Sequence, residues 1–337
     1  MKRITYALLA TLLSLTAMAQ SENDSFHKRI KIHGYGQVYA EASHNGNAFS
    51  KTTFGINKIE ILGIGQITKN WTAGVTVQLN SPIMLKDLYM QYSFMPELRI
   101  KVGQFKTPFL HENQYPPFLN PLVLGGSIPT IYFAGVAMNP LYYGTAGRDM
   151  GLEINGDLFH KLLSYRLAVM NGQGMNALDL NKGKLIGGSL YIRPVKGLAL
   201  HTSYLGGRQV AMKGNSEIKS GATYTSHRAS AGVIANYQPI SVMAEFMYGR
   251  ENTTNAMGAY LTTAIHLPKR TDLVLATDYL QPNINNSDRL YTASAGVDKW
   301  FKGNCRIQVQ YRYAHPTTSN LPMLKGHTLR TQLQFQF

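Results

Sequence analysis

Short and long connections alternate along this chain, and few folds produce that rhythm. Segments of two-residue apolar/polar alternation are joined by tight turns at Thr68-Lys69-Asn70, Met95-Pro96-Glu97, Gly156 to Lys161, Pro194 to Gly197, Gln238-Pro239, Pro268-Lys269 and Lys302-Gly303-Asn304. Between these turns lie longer connections: His44 to Lys51, Lys106 to Gly147, Asn171 to Lys184, Gly206 to Ser226, Gln281 to Asp288 and His315 to Leu324. Two further connections of the long series, near Ser81 and near Arg250, are short. A soluble sandwich has no reason to alternate in this way, whereas a transmembrane barrel has tight turns on one side of the membrane and longer loops on the other. The strand-like segments number about sixteen, an even number as such barrels require. The expected fold is therefore all-β, a transmembrane antiparallel β-barrel.

Individual strands fit two different surroundings. In the last one, Leu329, Thr331, Leu333, Phe335 and Phe337 share one face, and Thr328, Arg330, Gln332, Gln334 and Gln336 share the other. In the segment Arg306 to Tyr313, Ile307, Val309, Tyr311 and Tyr313 oppose Arg306, Gln308, Gln310 and Arg312. Arg99 and Lys101 alternate with Leu98, Ile100 and Val102 in the same manner. A Lys or Arg facing mid-bilayer costs roughly 2–4 kcal/mol, so these cations are expected to face a lumen and the apolar residues lipid. Tyrosines, Trp71 and Trp300 at strand ends suit the interfacial girdles of such barrels. Closing the last strand against the first would pair an edge that otherwise invites aggregation.

The N-terminus reads as a secretion leader. Met1-Lys2-Arg3 is basic, Tyr6 to Ala17 is apolar, and Ala17-Met18-Ala19 is a small-x-small cleavage site. Residues 1–19 are expected to be removed, leaving 20–337 as one barrel. No later segment approaches the ~20 apolar residues of a membrane helix. The formal net charge is +15, and without Lys2 and Arg3 it is +13. Export argues against nucleic acid as partner, and the scattered cations fit a field spread along an interior. Cys305 stands alone within a strand-like segment, so no internal disulfide forms.

Thr107 to Gly147 differs from every other connection. It is long, rich in Pro and aromatic residues, and free of Lys and Arg. A loop of this length inside a barrel is usually functional. As the third outer connection it is expected to fold into or across the lumen and set the bore, with a surface cap or subunit contact as the alternative.

Three stretches carry a family resemblance. Gly103-Gln104-Phe105-Lys106-Thr107-Pro108-Phe109 resembles the end of a strand in the phosphate-selective porin O and P family. Gly147-Arg148-Asp149-Met150-Gly151 resembles the segment that reopens that barrel after its third loop, and Ala168 to Gly174 resembles its next strand end. The resemblance implies a sixteen-stranded homotrimeric diffusion pore that prefers small anions such as phosphate or chloride. After Phe109 the chain departs from the family's Ser/Arg-rich segment and has no Lys or Arg before Arg148. Anion preference would then rest on wall cations. The candidates, chosen by strand parity and motif, are Arg99, Lys101, Lys106, Arg148, Arg166, Arg306, Arg312 and Arg330. The bland reading of each is a solvated wall residue or the partner of a carboxylate such as Asp149.

Enzyme chemistry has no motif in the sequence. No Gly-x-Ser-x-Gly or other nucleophile setting occurs, and the histidines show no metal-ligand spacing. The expectation is a porin surrounded by outer-membrane lipid, without cofactor, metal or enzymatic activity. The alternative is a barrel closed by its third loop and serving a structural or surface-interaction role.

Overall fold

The computed structural model describes residues 29–44, 50–142, 144–215, 217–318 and 325–337. The expected leader, residues 1–19, lies outside them. So do 45–49 of the first long connection and 319–324 of the last.

Sixteen strands follow one another around a single closed sheet. They are β1 (Ile30–His44), β2 (Ser50–Gln66), β3 (Trp71–Gln78), β4 (Met84–Met95), β5 (Leu98–Lys106), β6 (Arg148–Leu158), β7 (Leu163–Met170) and β8 (Leu185–Val195). The second half comprises β9 (Leu198–Val210), β10 (Thr223–Tyr237), β11 (Ile240–Glu251), β12 (Thr254–Leu267), β13 (Thr271–Gln281), β14 (Leu290–Trp300), β15 (Arg306–Pro316) and β16 (Gly326–Gln336). Each pairs antiparallel with its sequence neighbours, and β1 pairs with β16 from Tyr35↔Gln336 to His44↔His327. No strand edge is left open, which answers the aggregation hazard of apolar strands.

Period two separates the faces as the sequence implies. On β16, Leu333 is 47 % exposed while Gln334 is fully buried. Val38, Leu88, Val102, Leu167, Leu200, Leu275 and Val309 also point outward, forming an apolar belt. Trp71, Tyr92 and Phe94 stack edge to face at the short-turn end of this belt, with ring centroids 4.9 and 4.6 Å apart. Tyr248, Tyr291, Tyr311 and Tyr313 are exposed toward the long-loop end. These are the two aromatic girdles of a membrane barrel.

Three expectations are corrected. Trp300 shares the inward parity of Asp298 and does not join a girdle. Its half-buried indole Nε1 donates to Asp272 Oδ2 at 2.8 Å, an acceptor that lipid lacks. Cys305 lies in the turn between β14 and β15, outside any strand. The connection expected from Gly206 to Ser226 is shorter, since the ladder continues through Gly206↔His227 and Gly207↔Ser226 to Val210↔Thr223. Glycines interrupt the apolar pattern there without interrupting the hydrogen bonds.

Candidate functional site

The 107–147 loop leaves the wall at β5 and returns at β6. The Thr107 N–H donates to the Gly147 carbonyl at 2.9 Å, pinching the base shut. The loop then folds on itself around Glu112, which is buried. This carboxylate accepts from Asn120 Nδ2 at 2.9 Å, from the Ser127 N–H at 3.0 Å and from Ser127 Oγ at 2.5 Å. The loop's sole carboxylate is thus consumed by its own architecture. A short helix α1 (His111–Gln114) begins the loop. A second, α2 (Ile128–Phe133), is capped by Ser127, whose side chain accepts from the Thr130 N–H.

From this base the loop crosses the lumen to the far wall. Its backbone donates to strand side chains: Leu110 N–H to Ser203 Oγ on β9 at 3.0 Å, His111 N–H to Glu245 on β11 at 3.1 Å, and Ile128 N–H to Asp278 on β13 at 3.1 Å. The Val123 N–H reaches Gln310 Oε1 on β15 at 3.0 Å. Wall side chains in turn donate to loop carbonyls. Arg306 Nη2 meets Phe118 O at 3.1 Å and Asn120 O at 2.7 Å, and Gln334 Nε2 meets Phe118 O at 3.0 Å. Such donors match a loop whose Pro-rich backbone leaves carbonyls unpaired. Helix α2 lies on bare backbone: a Cβ on Gly258 would stand 2.6 Å from Pro129 Cβ, and one on Gly249 would stand 2.8 Å from the Phe133 ring. The loop is therefore seated mainly along β9 to β16, with Gln114 Oε1 also accepting from Arg166 Nη1 on β7 at 2.6 Å and His111 Nδ1 lying 3.0 Å from Tyr191 Oη on β8. Burial in this seat pushes the His111 imidazole down to about 4, only partly offset by Glu245, so the ring is neutral near pH 7.

Open space remains beside the opposite wall. A cavity of about 430 Å³ is lined from β2 to β7 by residues that include Thr76, Asp87, Lys101, Lys106, Glu153 and Arg166. Lys58, Lys86 and Arg148 stand within electrostatic reach of Lys106. Six cations in this part of the wall thus surround three carboxylates, Glu60, Asp87 and Glu153. Lys86 pairs with Glu60 at 2.5 Å, Lys101 with Glu153 at 2.9 Å, and Arg166 with Glu153 at 2.5 Å. Lys58 makes no hydrogen bond or ion pair among the described residues.

The structure divides the eight sequence candidates into a cavity group of four, a group of three on the opposite wall, and Arg99 by itself. Lys101, Lys106, Arg148 and Arg166 come together around the cavity. Lys106 Nζ donates to the loop carbonyl of Tyr115 at 2.9 Å. Arg148 is bidentate to Asp87, at 2.8 and 3.2 Å, and not to Asp149. Asp149 instead accepts from the N–H groups of Met150 at 2.8 Å and Gly172 at 2.6 Å. Arg99 sits apart at the short-turn end with Asp157 at 2.9 Å. Arg306, Arg312 and Arg330 belong to the opposite wall. Arg306 is buried by the loop, with Asp298 at 3.1 Å. Arg330 pairs with Glu41 at 2.5 Å over the Tyr39 ring. The buried Nε of Arg312 meets no acceptor among the described residues.

Lys58 and Lys86 were not legible from parity. Each sits at a β-bulge, where the register shifts between Gln37 and Val38 and between Thr76 and Val77. A bulge adds a residue to one strand and turns the side chain after it to the other face. Among the described residues, no group of three or more His, Cys, Asp or Glu side chains is placed to hold a metal ion.

Solved structures similar to this chain include outer-membrane proteins. OmpT of Vibrio cholerae, in its trimer form, superposes with a TM-score of 0.65 at 12 % identity, over 92 % of this chain and all of that one. The outer membrane channel DcaP of Acinetobacter baumannii gives 0.64 at 10 % identity, covering 91 % and 97 % of the two chains. OmpF of Salmonella typhi in complex with daunomycin gives 0.63 at 12 % identity, also covering 91 % and 97 %. At these identities the likeness is one of fold. No family model and no curated protein matches the sequence.

Proposed function

We propose that this barrel lies in a bacterial outer membrane and acts as a porin, letting small hydrophilic solutes diffuse passively with a bias toward anions. The outward apolar belt with its two girdles matches a bilayer. The fold likeness to outer-membrane barrels, DcaP among them described as a channel, supports the same reading. The observation that carries the bias is the excess of cations over carboxylates beside the open cavity, opposite a loop that presents no Lys or Arg. A field of one sign in a narrow, partly dehydrated passage raises the local concentration of counter-ions. Chloride and phosphate are the solutes proposed, the second on the strength of the motifs between Gly103 and Gly174. A homotrimer is proposed with them, as OmpT is described in trimer form. The leader at residues 1–19 would direct export.

The test is single-channel recording in a planar bilayer under a KCl gradient. A chloride-selective reversal potential supports the reading, and a large excess of potassium permeability overturns it. Block of chloride current by micromolar phosphate supports phosphate as a solute. The loop's ties to β9, β11, β13, β15 and β16 favour one competing reading, a closed barrel. That reading requires folded protein to be silent until residues of the 107–147 loop are deleted.

A further inference from the structure

At the short-turn mouth of the barrel, three inward side chains from adjacent strands form a continuous chain of hydrogen bonds. Ser241 Oγ lies 2.7 Å from His266 Nε2. His266 Nδ1 lies 2.8 Å from Asp272 Oδ1. The carboxylate only accepts, so Nδ1 carries the ring proton and Nε2 is left as the acceptor facing the serine hydroxyl. The orienting groups are themselves held. Asp272 Oδ2 takes the Trp300 indole N–H at 2.8 Å, and the His266 backbone N–H donates to Pro239 O at 2.7 Å. Register explains the assembly, since His266 stands opposite Asp272 and Ser241 stands opposite Ala264, one inward position from His266.

We infer that Ser241, His266 and Asp272 form a nucleophilic site that cleaves carboxylic esters at this mouth, separate from the cation-lined wall. A nucleophile bonded to a base, and the base bonded to a carboxylate, is the geometry that activates a serine hydroxyl. The serine oxygen attacks the carbonyl carbon as its proton passes to His266 Nε2. The bond to the leaving alcohol then breaks and the alcohol departs with that proton. Water attacks the acyl carbon, giving its proton to the same imidazole. The acid is released and the serine hydroxyl restored.

A neighbouring cavity of about 520 Å³ indicates the substrate class. Asn236, directly opposite Ser241 in the β10–β11 ladder, lines it. So do three cations, Lys161, Arg193 and Lys196, beside apolar Phe159 and Leu162. Directly paired residues have Cβ atoms about 5 Å apart, so an acyl group on Ser241 would enter this cavity. Its lining suits an ester whose acyl part is apolar and ends in a negative charge, such as a dicarboxylate monoester.

The purified, folded full-length barrel should be treated with a fluorophosphonate probe and digested for mass spectrometry. Labelling is expected at Ser241 and lost in Ser241→Ala. It should slow about 100-fold in His266→Gln, the usual contribution of a positioned base. Hydrolysis of the p-nitrophenyl monoester of glutarate should follow the same variants and exceed that of the neutral butyrate ester. Heat-modifiable gel mobility and an unchanged single-channel conductance of Ser241→Ala report that the barrel is folded. Wild-type protein that labels no faster than Ser241→Ala, or labelling indifferent to His266→Gln, overturns the inference.

Discussion

Arg306 Nη2 lies 2.7 Å from the carbonyl oxygen of Asn120, so a cation of β15 holds the loop in place and does not face lumen water. Its other ties run to Asp298 and Phe118, with the Trp300 ring 4.6 Å away. Arg306→Gln is expected to loosen the loop and leave Asp298 buried without its counter-charge. The cost should be about 3–5 kcal/mol, the range for breaking a buried pair. Open-channel noise should rise while ion selectivity stays unchanged. Denaturant unfolding in detergent and bilayer recording check the two halves separately.

Lys58 should behave in the opposite way, because it lies on the inward side of β2 with Glu60 and has no ion-pair partner among the described residues. A unit charge about 8 Å from a passing ion in water is worth about 0.5 kcal/mol before salt screening, with opposite signs for chloride and potassium. Lys58→Gln should therefore lower the chloride-to-potassium permeability ratio roughly two- to five-fold. Arg306→Gln under the same KCl gradient serves as the comparison, and an equal shift in both would remove Lys58 from the pathway.

Acid should loosen the loop through His111. Its ring faces Tyr191, Tyr115 and His201, with Glu245 and Arg193 nearby, and burial pushes it from 6.5 down to about 4. The seated loop thus favours the neutral ring. The stability this contributes is complete above pH 6.5 and is lost as pH falls toward 4. The size is roughly 3 kcal/mol. Fluctuations of the open current should increase across that window, and His111→Gln should remove most of that increase.

Gly258 permits helix α2 to touch the wall. Gly258→Ala would place a methyl carbon 2.6 Å from Pro129 Cβ and 3.2 Å from the Tyr279 carbonyl oxygen. One of them must move, at a cost of about 1–3 kcal/mol for overpacking. The expected result is a displaced loop, read as altered conductance with the barrel still folded by gel mobility. Unchanged conductance would mean that α2 does not bound the passage.

The barrel was legible because lipid and water impose period two on every strand, and Leu329, Leu333 and Phe335 keep to it without exception. The loop's place in the lumen was legible from its length and from the missing Lys and Arg. Which cations matter was less legible. Parity cannot see a bulge, so Lys58 and Lys86 were missed. Nor can it see a loop carbonyl, so Arg306 was grouped with Lys101 although one is covered and the other lines a cavity. Ser241, His266 and Asp272 have no motif, because their proximity is created by cross-strand register and not by spacing along the chain.

The loop's seat lies almost entirely in chain that follows it. Asn120 and Phe118 meet Arg306 and Gln334 across separations of 186 and 216 residues. During synthesis the loop therefore emerges long before most of the surface that holds it, and its hydrogen bonds to β9 to β16 cannot form until those strands are in place. Contacts of such long sequence separation form late, since the closure entropy must be met before they contribute. Docking of the loop on β9 to β16 therefore follows the formation of the strands that receive it, and the width of the passage is set after the wall is built.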